Sequence, residues 1–313
     1  MVYKTFLDDV CLAVAARLGD SFSVSLQQIP KNNGVLSDSL CIQKPPSPVS
    51  AAIYLGHFFE EYRNGMPLSS ITSEILDLYR SHSLPPAFRP EQFLSFETCR
   101  KNLACKLINT SRNQTALSSI PHIPFLDLSI VFCIFTESED EIFTSLVNNS
   151  QIKLWGITED ELFIQAKANS MLLFPPVIRE LDEVIREMIS PDGRKQPKEE
   201  KEASAPIQEE KPLIYVLTNT KGVNGAYSML YPGVLESFAQ AAGSDLVIIP
   251  SSIHEVLLIP QESDMDYSDM DDTIREVNQN EVPTEDHLSD HTYFYSRMSG
   301  RIFLPSGISA KLP

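Results

Sequence analysis

The sequence lacks the patterns that identify several large classes of protein. Its twelve glycines in 313 residues never take the spacing of a Rossmann or P-loop phosphate site. Its longest apolar run, at 130–135, has the length of a strand, whereas a membrane span needs about 18 residues or more. Asp8 and Asp9 lie where a signal peptide would need an uncharged apolar core. We therefore expect a cytoplasmic protein without a membrane segment.

Cysteine and histidine patterns give no metal or disulfide signature either. The five cysteines form no CxxC pair, which disfavours a zinc ribbon and a disulfide framework. His287 and His291 have the i, i+4 spacing of zinc helices, but the required Glu does not follow His287. The acidic run at 264–269 begins like a calcium loop and lacks its glycine and its closing Glu. We predict no metal site and no cofactor.

Acidic residues are in large excess. The chain has 42 Asp and Glu against 25 Lys and Arg, a formal net charge of −17. Residues 261–290 hold eleven acids and one base, so this stretch contributes −10. Phosphate backbones repel such a surface, so we expect no nucleic-acid binding through it. A basic protein could bind there, although charge runs are often only solvent-exposed. The predicted binding residues are Asp264, Asp266, Asp269, Asp271 and Asp272.

Apolar spacing indicates helices and strands without regular βαβ alternation. We therefore predict an α+β fold with a mixed, largely antiparallel sheet and several amphipathic helices. A first helix is indicated by apolar residues every four positions: Phe6, Val10, Val14 and Leu18. The Asn33-Gly34 pair suits a tight hairpin turn, because these residues accept a positive φ angle.

Four further segments have local signals. Apolar positions predict a helix over 90–108 and a short strand over 151–155. Thr158 and Glu161 form a capping box, which predicts the start of a helix. An amphipathic helix is predicted from apolar residues at helical spacing: Val177, Leu181, Val184, Ile185 and Met188.

The segment 191–212 is predicted to divide the chain. It contains four prolines, six acids and five bases. Such a composition buries too little apolar surface to offset the entropy of ordering, so we predict a flexible linker or loop. The expected organisation is an N-terminal α+β lobe at 1–190 and a C-terminal α+β lobe at 213–313.

The strongest candidate for chemistry is the run at 250–255. It places Ser252, His254 and Glu255 between two predicted strands, and Ser252 and His254 would share a strand face. A nucleophilic hydroxyl needs a base and a group that orients it, so Asn219 and Asp290 complete the catalytic candidates. No Gly-x-Ser-x-Gly elbow is present. The alternative is a polar turn whose serines bind their own backbone.

Several phrases together resemble a known family. They are Lys31-Asn32-Asn33-Gly34, Ile53-Tyr54-Leu55, the run from Trp155 to Leu162, Ala166 to Asn169, Leu217-Thr218-Asn219 with Gly225-Ala226, the run at 250–255, and Leu288-Ser289-Asp290. In this order they resemble domain-of-unknown-function family 5688, found mainly in anaerobic gut bacteria. The resemblance implies a bacterial cytoplasmic protein. It implies no activity, because the family has no assigned catalytic residues.

These observations favour binding over catalysis. We expect a non-catalytic protein-binding or regulatory module with a basic protein partner. One alternative is a hydrolase centred on Ser252 and His254. Another is an accessory protein of mobile DNA whose acidity masks or mimics nucleic acid.

Overall fold

The computed structural model describes residues 2–45, 50–81, 93–137, 142–189, 213–261, 269–305 and 309–312. The predicted linker at 191–212 lies outside these residues, as do Asp264 and Asp266 of the predicted acidic surface. The helices are α1 (Val2–Leu18), α2 (Gly56–Arg63), α3 (Leu68–Ser81), α4 (Phe96–Cys99), α5 (Gln114–Leu117), α6 (Asn149–Trp155), α7 (Glu159–Leu173), α8 (Leu181–Ile189), α9 (Val234–Ala242) and α10 (Met270–Asn280).

The strands form three antiparallel sheets. They are β1 (Ser23–Pro30), β2 (Leu36–Gln43), β3 (Ser50–Tyr54), β4 (Leu103–Asn109), β5 (His122–Phe125), β6 (Leu128–Glu137), β7 (Ile142–Leu146), β8 (Pro176–Glu180), β9 (Tyr215–Asn219), β10 (Leu246–Ser252), β11 (Glu255–Pro260), β12 (Tyr293–Ser296), β13 (Arg301–Phe303) and β14 (Ser309–Lys311). The first sheet has the order β1-β2-β3, and the second has the order β4-β6-β5 with β7 on β6. The third has the order β14-β13-β12-β10-β11-β9-β8. The predicted α+β class is confirmed.

The first sheet has its own hydrophobic core. Helices α1, α2 and α3 contribute apolar side chains to it, and β2 and β3 supply the opposite wall. Its fully buried members include Val10, Val14, Leu40, Leu55, Ile71 and Ile75. The predicted first helix is confirmed, because Phe6, Val10 and Val14 form its buried face. The predicted turn between β1 and β2 is confirmed as well, and Asn33 and Gly34 both have positive φ angles there.

The second and third sheets share a larger core. It includes Leu107 and Ile130 from the second sheet, and Leu217, Leu258 and Ile302 from the third. Strand β8 pairs with β9, although the segment 191–212 lies between them in the sequence. The predicted division into two lobes at this segment is therefore not confirmed, because residues on both sides of it contribute to one sheet and one core.

Three local predictions were wrong. Residues 103–108 of the predicted helix at 90–108 lie in β4, which is buried on both faces and so has no alternation to mark it as a strand. Residues 151–155 belong to α6, which begins at a capping box between Asn148 and Gln151 and ends at Gly156. Val177 lies in β8, and α8 begins four residues later. The capping box of Thr158 and Glu161 is confirmed.

Candidate functional site

Residues 284–292, called the 284–292 segment below, include Asp290 and contact two other predicted site residues, His254 and Asp271. The segment begins with a 3-10 turn at Thr284–Asp286 and leads into β12. His287 and Ser289 are buried within it. A buried polar group without a hydrogen-bond partner costs roughly 1–3 kcal/mol. The buried polar residues of this segment therefore need partners, and these partners together with the segment form the candidate site.

The run at 250–255 forms the tip of the β10–β11 hairpin. Ser252 pairs with Glu255, which leaves Ile253 and His254 as the turn. The Ser252 hydroxyl accepts a hydrogen bond of 3.0 Å from the His254 amide. The hydroxyl of Ser251 donates to the Glu255 carboxylate at 3.3 Å. Both serines therefore bind within the hairpin itself.

The His254 ring joins the hairpin to two other segments. Its Nδ1 accepts a hydrogen bond of 3.2 Å from the Asn224 amide, which places the ring proton on Nε2. Nε2 lies 3.4 Å from Oδ1 of Asp286. Both ring nitrogens thus have protein partners. Transfer of the Ser252 proton to this ring would require one of these contacts to break.

Asn219 closes the turn that packs against the hairpin tip. Its side-chain amide donates to the Val223 carbonyl at 2.8 Å, and its side-chain oxygen accepts from the amide two residues on at 2.9 Å. A Cβ on Gly225 would lie 2.3 Å from the His254 carbonyl oxygen and 2.3 Å from Oγ1 of Thr218. Only glycine allows the two segments to approach this closely.

Asp290, the remaining catalytic candidate, has a different set of partners. Arg112 donates to its Oδ2 at 2.6 Å and Asn278 to its Oδ1 at 2.8 Å. Burial raises the pKa of Asp290, but these hydrogen bonds outweigh it and lower the pKa below the usual value. Arg112 also donates to Nδ1 of His287, whose Nε2 bonds to the Val282 carbonyl at 2.8 Å. Arg112 is therefore fixed between a carboxylate and an imidazole.

Asp127 accepts two hydrogen bonds from the same part of the chain. Its Oδ2 accepts from the Ser289 hydroxyl and its Oδ1 from the Tyr293 hydroxyl, both at 2.7 Å. The residue lies in the two-residue turn between β5 and β6. Its neighbour Leu126 has a φ of 55°, a region that costs a non-glycine residue roughly 1–3 kcal/mol. The turn is thus held in a strained conformation next to the site.

The turn between β1 and β2 binds the other side of the 284–292 segment. Lys31 lies 3.0 Å from the Glu285 carboxylate, and its hydrogen bond lowers the pKa of Glu285. Asn33 donates to the His287 carbonyl at 2.8 Å and exchanges two hydrogen bonds of 2.8 Å with Asn113. These contacts connect the first sheet to the rest of the protein.

A cavity of about 400 Å³ lies beside Arg112. Its polar lining residues are Asn109, Thr110, Ser111, Arg112, Gln114, Asp127, Asp290 and His291. Of these, only Asp290 is a predicted site residue. Arg112 lies in a polar run directly after the buried strand β4. The sequence predicts a helix over 90–108 instead of this strand, so it does not mark the polar run as a site.

The described residues of the predicted acidic surface have two different environments. Asp271 accepts from the Thr292 amide at 2.7 Å and lies 3.0 Å from Nδ1 of His291. Burial raises the pKa of Asp271, but these contacts outweigh it and lower the pKa below the usual value. Asp269 and Asp272 are exposed, and Asp272 pairs with Arg275 on the same helix.

Neither a metal-binding cluster nor a membrane-spanning helix is found within the described ranges. No three His, Cys, Asp or Glu side chains there come together in a group that could hold a metal ion. Of the helices in those ranges, none is both long enough and apolar enough to cross a membrane.

Helix α8 has three exposed apolar side chains. Ile185, Met188 and Ile189 are 42%, 81% and 73% exposed, and no residue of this helix is buried. The helix follows β8, the last strand of the third sheet. Arg179 of β8 pairs with Glu183 at 3.7 Å and with Glu187 at 2.8 Å, which fixes one side of α8 to that strand.

Comparisons with known proteins place the chain in a family. Neither the curated proteins nor the solved structures that were compared include a match to it. The family of unknown function DUF5688 matches residues 3–297, nearly the whole chain. The match covers all three sheets up to β12, the 284–292 segment and helix α8. The predicted resemblance is thereby confirmed, and the chain belongs to the family DUF5688.

Proposed function

We propose that this protein is a non-catalytic binding module that docks a basic protein segment against helix α8. The observation that carries the proposal is the exposure of Ile185, Met188 and Ile189. An amphipathic helix in a folded domain normally packs its apolar stripe against the core. Apolar side chains grouped on one exposed helix commonly mark an interaction surface.

The spacing of these three residues suits a helical or extended partner. Ile185, Met188 and Ile189 are three and four residues apart, so they form one ridge along the helix. An unbranched methionine adapts its shape to the partner that covers it. Such a ridge resembles the anchors of helix-in-groove recognition.

The negative charge around the ridge favours a basic partner over a second copy of the chain. Residues 179–189 contain four acids and two bases, a net charge of −2 around the ridge. The whole chain carries −17, so two copies would repel each other as they approach. A basic segment would instead be attracted.

We also propose that Ser252 and His254 at the hairpin tip are not catalytic. The hydrogen bonds of His254 with Asn224 and Asp286 support a structural role, since no free ring nitrogen remains to activate Ser252. We also propose a cytoplasmic location, which five free thiols support. The alternative hydrolase rests on the His254–Asp286 contact, which has the form of a base and its orienting group.

A designed peptide pair tests the docking surface. The probe is an amphipathic helix of leucine and lysine, and its charge control has glutamate at every lysine position. We expect the basic peptide to bind in fluorescence anisotropy. The triple variant Ile185→Ser, Met188→Ser, Ile189→Ser should weaken this binding by about tenfold or more, because it removes three apolar contacts.

A matched variant controls for general loss of apolar surface. Leu12→Ser, Leu36→Ser and Met298→Ser together change three exposed residues elsewhere and should leave binding unchanged. Equal binding by the α8 variant would contradict the proposal. Dimerisation in analytical ultracentrifugation that the α8 variant abolishes would identify a second copy as the occupant and refute the basic partner. Labelling of Ser252 by a fluorophosphonate, lost in His254→Ala, would favour the hydrolase.

A further inference from the structure

We propose that the cavity beside Arg112 binds a small zwitterion of the α-amino acid class. The cavity is independent of the α8 surface and has a volume of about 400 Å³. This volume falls within the range of roughly 300–1,000 Å³ that is typical of small-molecule sites. Its walls combine one guanidinium, one imidazole, two carboxylates, two hydroxyls and two side-chain amides, so they can bind groups of both charges.

Arg112 provides the site for a carboxylate. A guanidinium has five N–H donors in one plane. The contacts with Asp290 and His287 occupy one donor on each terminal nitrogen. These two contacts also fix the plane of the side chain, so the donors that remain keep a set direction. A fixed guanidinium with free donors is the group that best matches a carboxylate.

Asp127 and Asp290 provide the site for an ammonium group. Each carboxylate accepts two hydrogen bonds from protein groups, as described above. A carboxylate offers about four acceptor positions, so each retains acceptor capacity. Both are partly exposed and both line the cavity.

The charge balance argues against simpler ligands. An anion such as phosphate would be repelled by both carboxylates, and the net charge of −17 adds to the repulsion. A cation without an acidic group would leave the donors of Arg112 unpaired. A zwitterion satisfies both sets of groups, because its carboxylate would face Arg112 and its ammonium group would face Asp290.

The backbone next to the cavity is strained, which is an independent sign of function. Leu126 lines the cavity with a φ of 55°, at a turn position where glycine is the usual residue. Strained residues cluster at ligand sites, where the surrounding structure holds them in place.

The test uses thermal unfolding with the twenty common amino acids, each added alone at millimolar concentration. Binding to the folded protein raises the midpoint of unfolding. We expect at least one amino acid to raise it. The corresponding amine, the corresponding carboxylic acid and glucose should have no such effect. A panel without any shift would overturn the proposal. An equal shift with the amine, the acid or glucose would do so too, because the site would then not recognise both charges.

Two variants on α5 locate the binding without disturbing the network. Gln114 lines the cavity and is exposed, so Gln114→Trp should fill the opening and abolish the shift. Thr115 is exposed on the same helix, so Thr115→Trp is the control and should retain it. Arg112→Lys and Asp127→Asn should each weaken binding by about tenfold or more. Undiminished binding by Gln114→Trp would place the ligand elsewhere and refute the assignment.

Discussion

Replacement of Gly225 by alanine tests whether the hairpin tip is packed as the structure indicates. The added Cβ would lie 2.3 Å from the His254 carbonyl oxygen, 2.3 Å from Oγ1 of Thr218 and 3.0 Å from the Asn219 amide nitrogen. Two of these atoms belong to the backbone and can move away only if the chain itself shifts. Overpacking of this kind costs roughly 1–3 kcal/mol, and loss of the hydrogen bond from Thr218 to His254 adds about 1 kcal/mol. Together we expect a destabilisation of about 2–4 kcal/mol.

Urea-induced unfolding followed by circular dichroism measures this loss. Gly56 is the matched control, because its added Cβ would meet no atom within 4 Å and its φ angle is an ordinary negative one. Gly56→Ala should be neutral or slightly stabilising, since alanine favours a helix over glycine. Thr218→Ala removes one of the two closest atoms, so its combination with Gly225→Ala should cost less than the sum of the single changes. Equal unfolding midpoints for Gly225→Ala and Gly56→Ala would refute the reasoning.

Two further predictions concern the 284–292 segment and the pairing of β8 with β9. The pKa of Asp290 is lowered in the folded protein, so its contribution to stability is present above the usual carboxyl pKa and is lost as the pH falls through the lowered value. The difference in unfolding free energy between wild type and Asp290→Asn should therefore shrink below about pH 4, and a pH-independent difference would contradict the hydrogen-bond assignment. Cleavage at a protease site introduced within 191–212 should leave two fragments that elute together in size-exclusion chromatography, because β8 and β9 pair across the cut. Separate elution would show that the shared core does not hold them.

Local signals were enough to predict much of the secondary structure. The capping box of Thr158 and Glu161 fixes a helix start through two backbone contacts three residues apart. The turn at Asn33 and Gly34 similarly depends on the φ angles that these two residues accept. Such features depend only on neighbours in the sequence. They could therefore be predicted without knowledge of the tertiary fold.

Residues whose environment depends on distant segments were beyond this reasoning. Strand β4 is buried on both faces, so its apolar residues show no period that distinguishes a strand from a helix. Arg112 binds Asp290 across 178 positions of sequence, and Asp127 binds Ser289 across 162. No local pattern marks such pairs. Asp290 was proposed for its chemistry, but its actual partners could not be foreseen.

The end of the family match lies inside the third sheet, before the strands that form one of its edges. The match ends at residue 297, directly after β12, whereas β13 and β14 continue the sheet beyond it. A protein that ended at this boundary would expose the unpaired backbone groups of β12, and an open strand edge can pair with other molecules. It would also lose Ile302, which is fully buried. Strands β13 and β14 have only three residues each, so β13 covers the edge of β12 and the edge that remains at β14 is shorter.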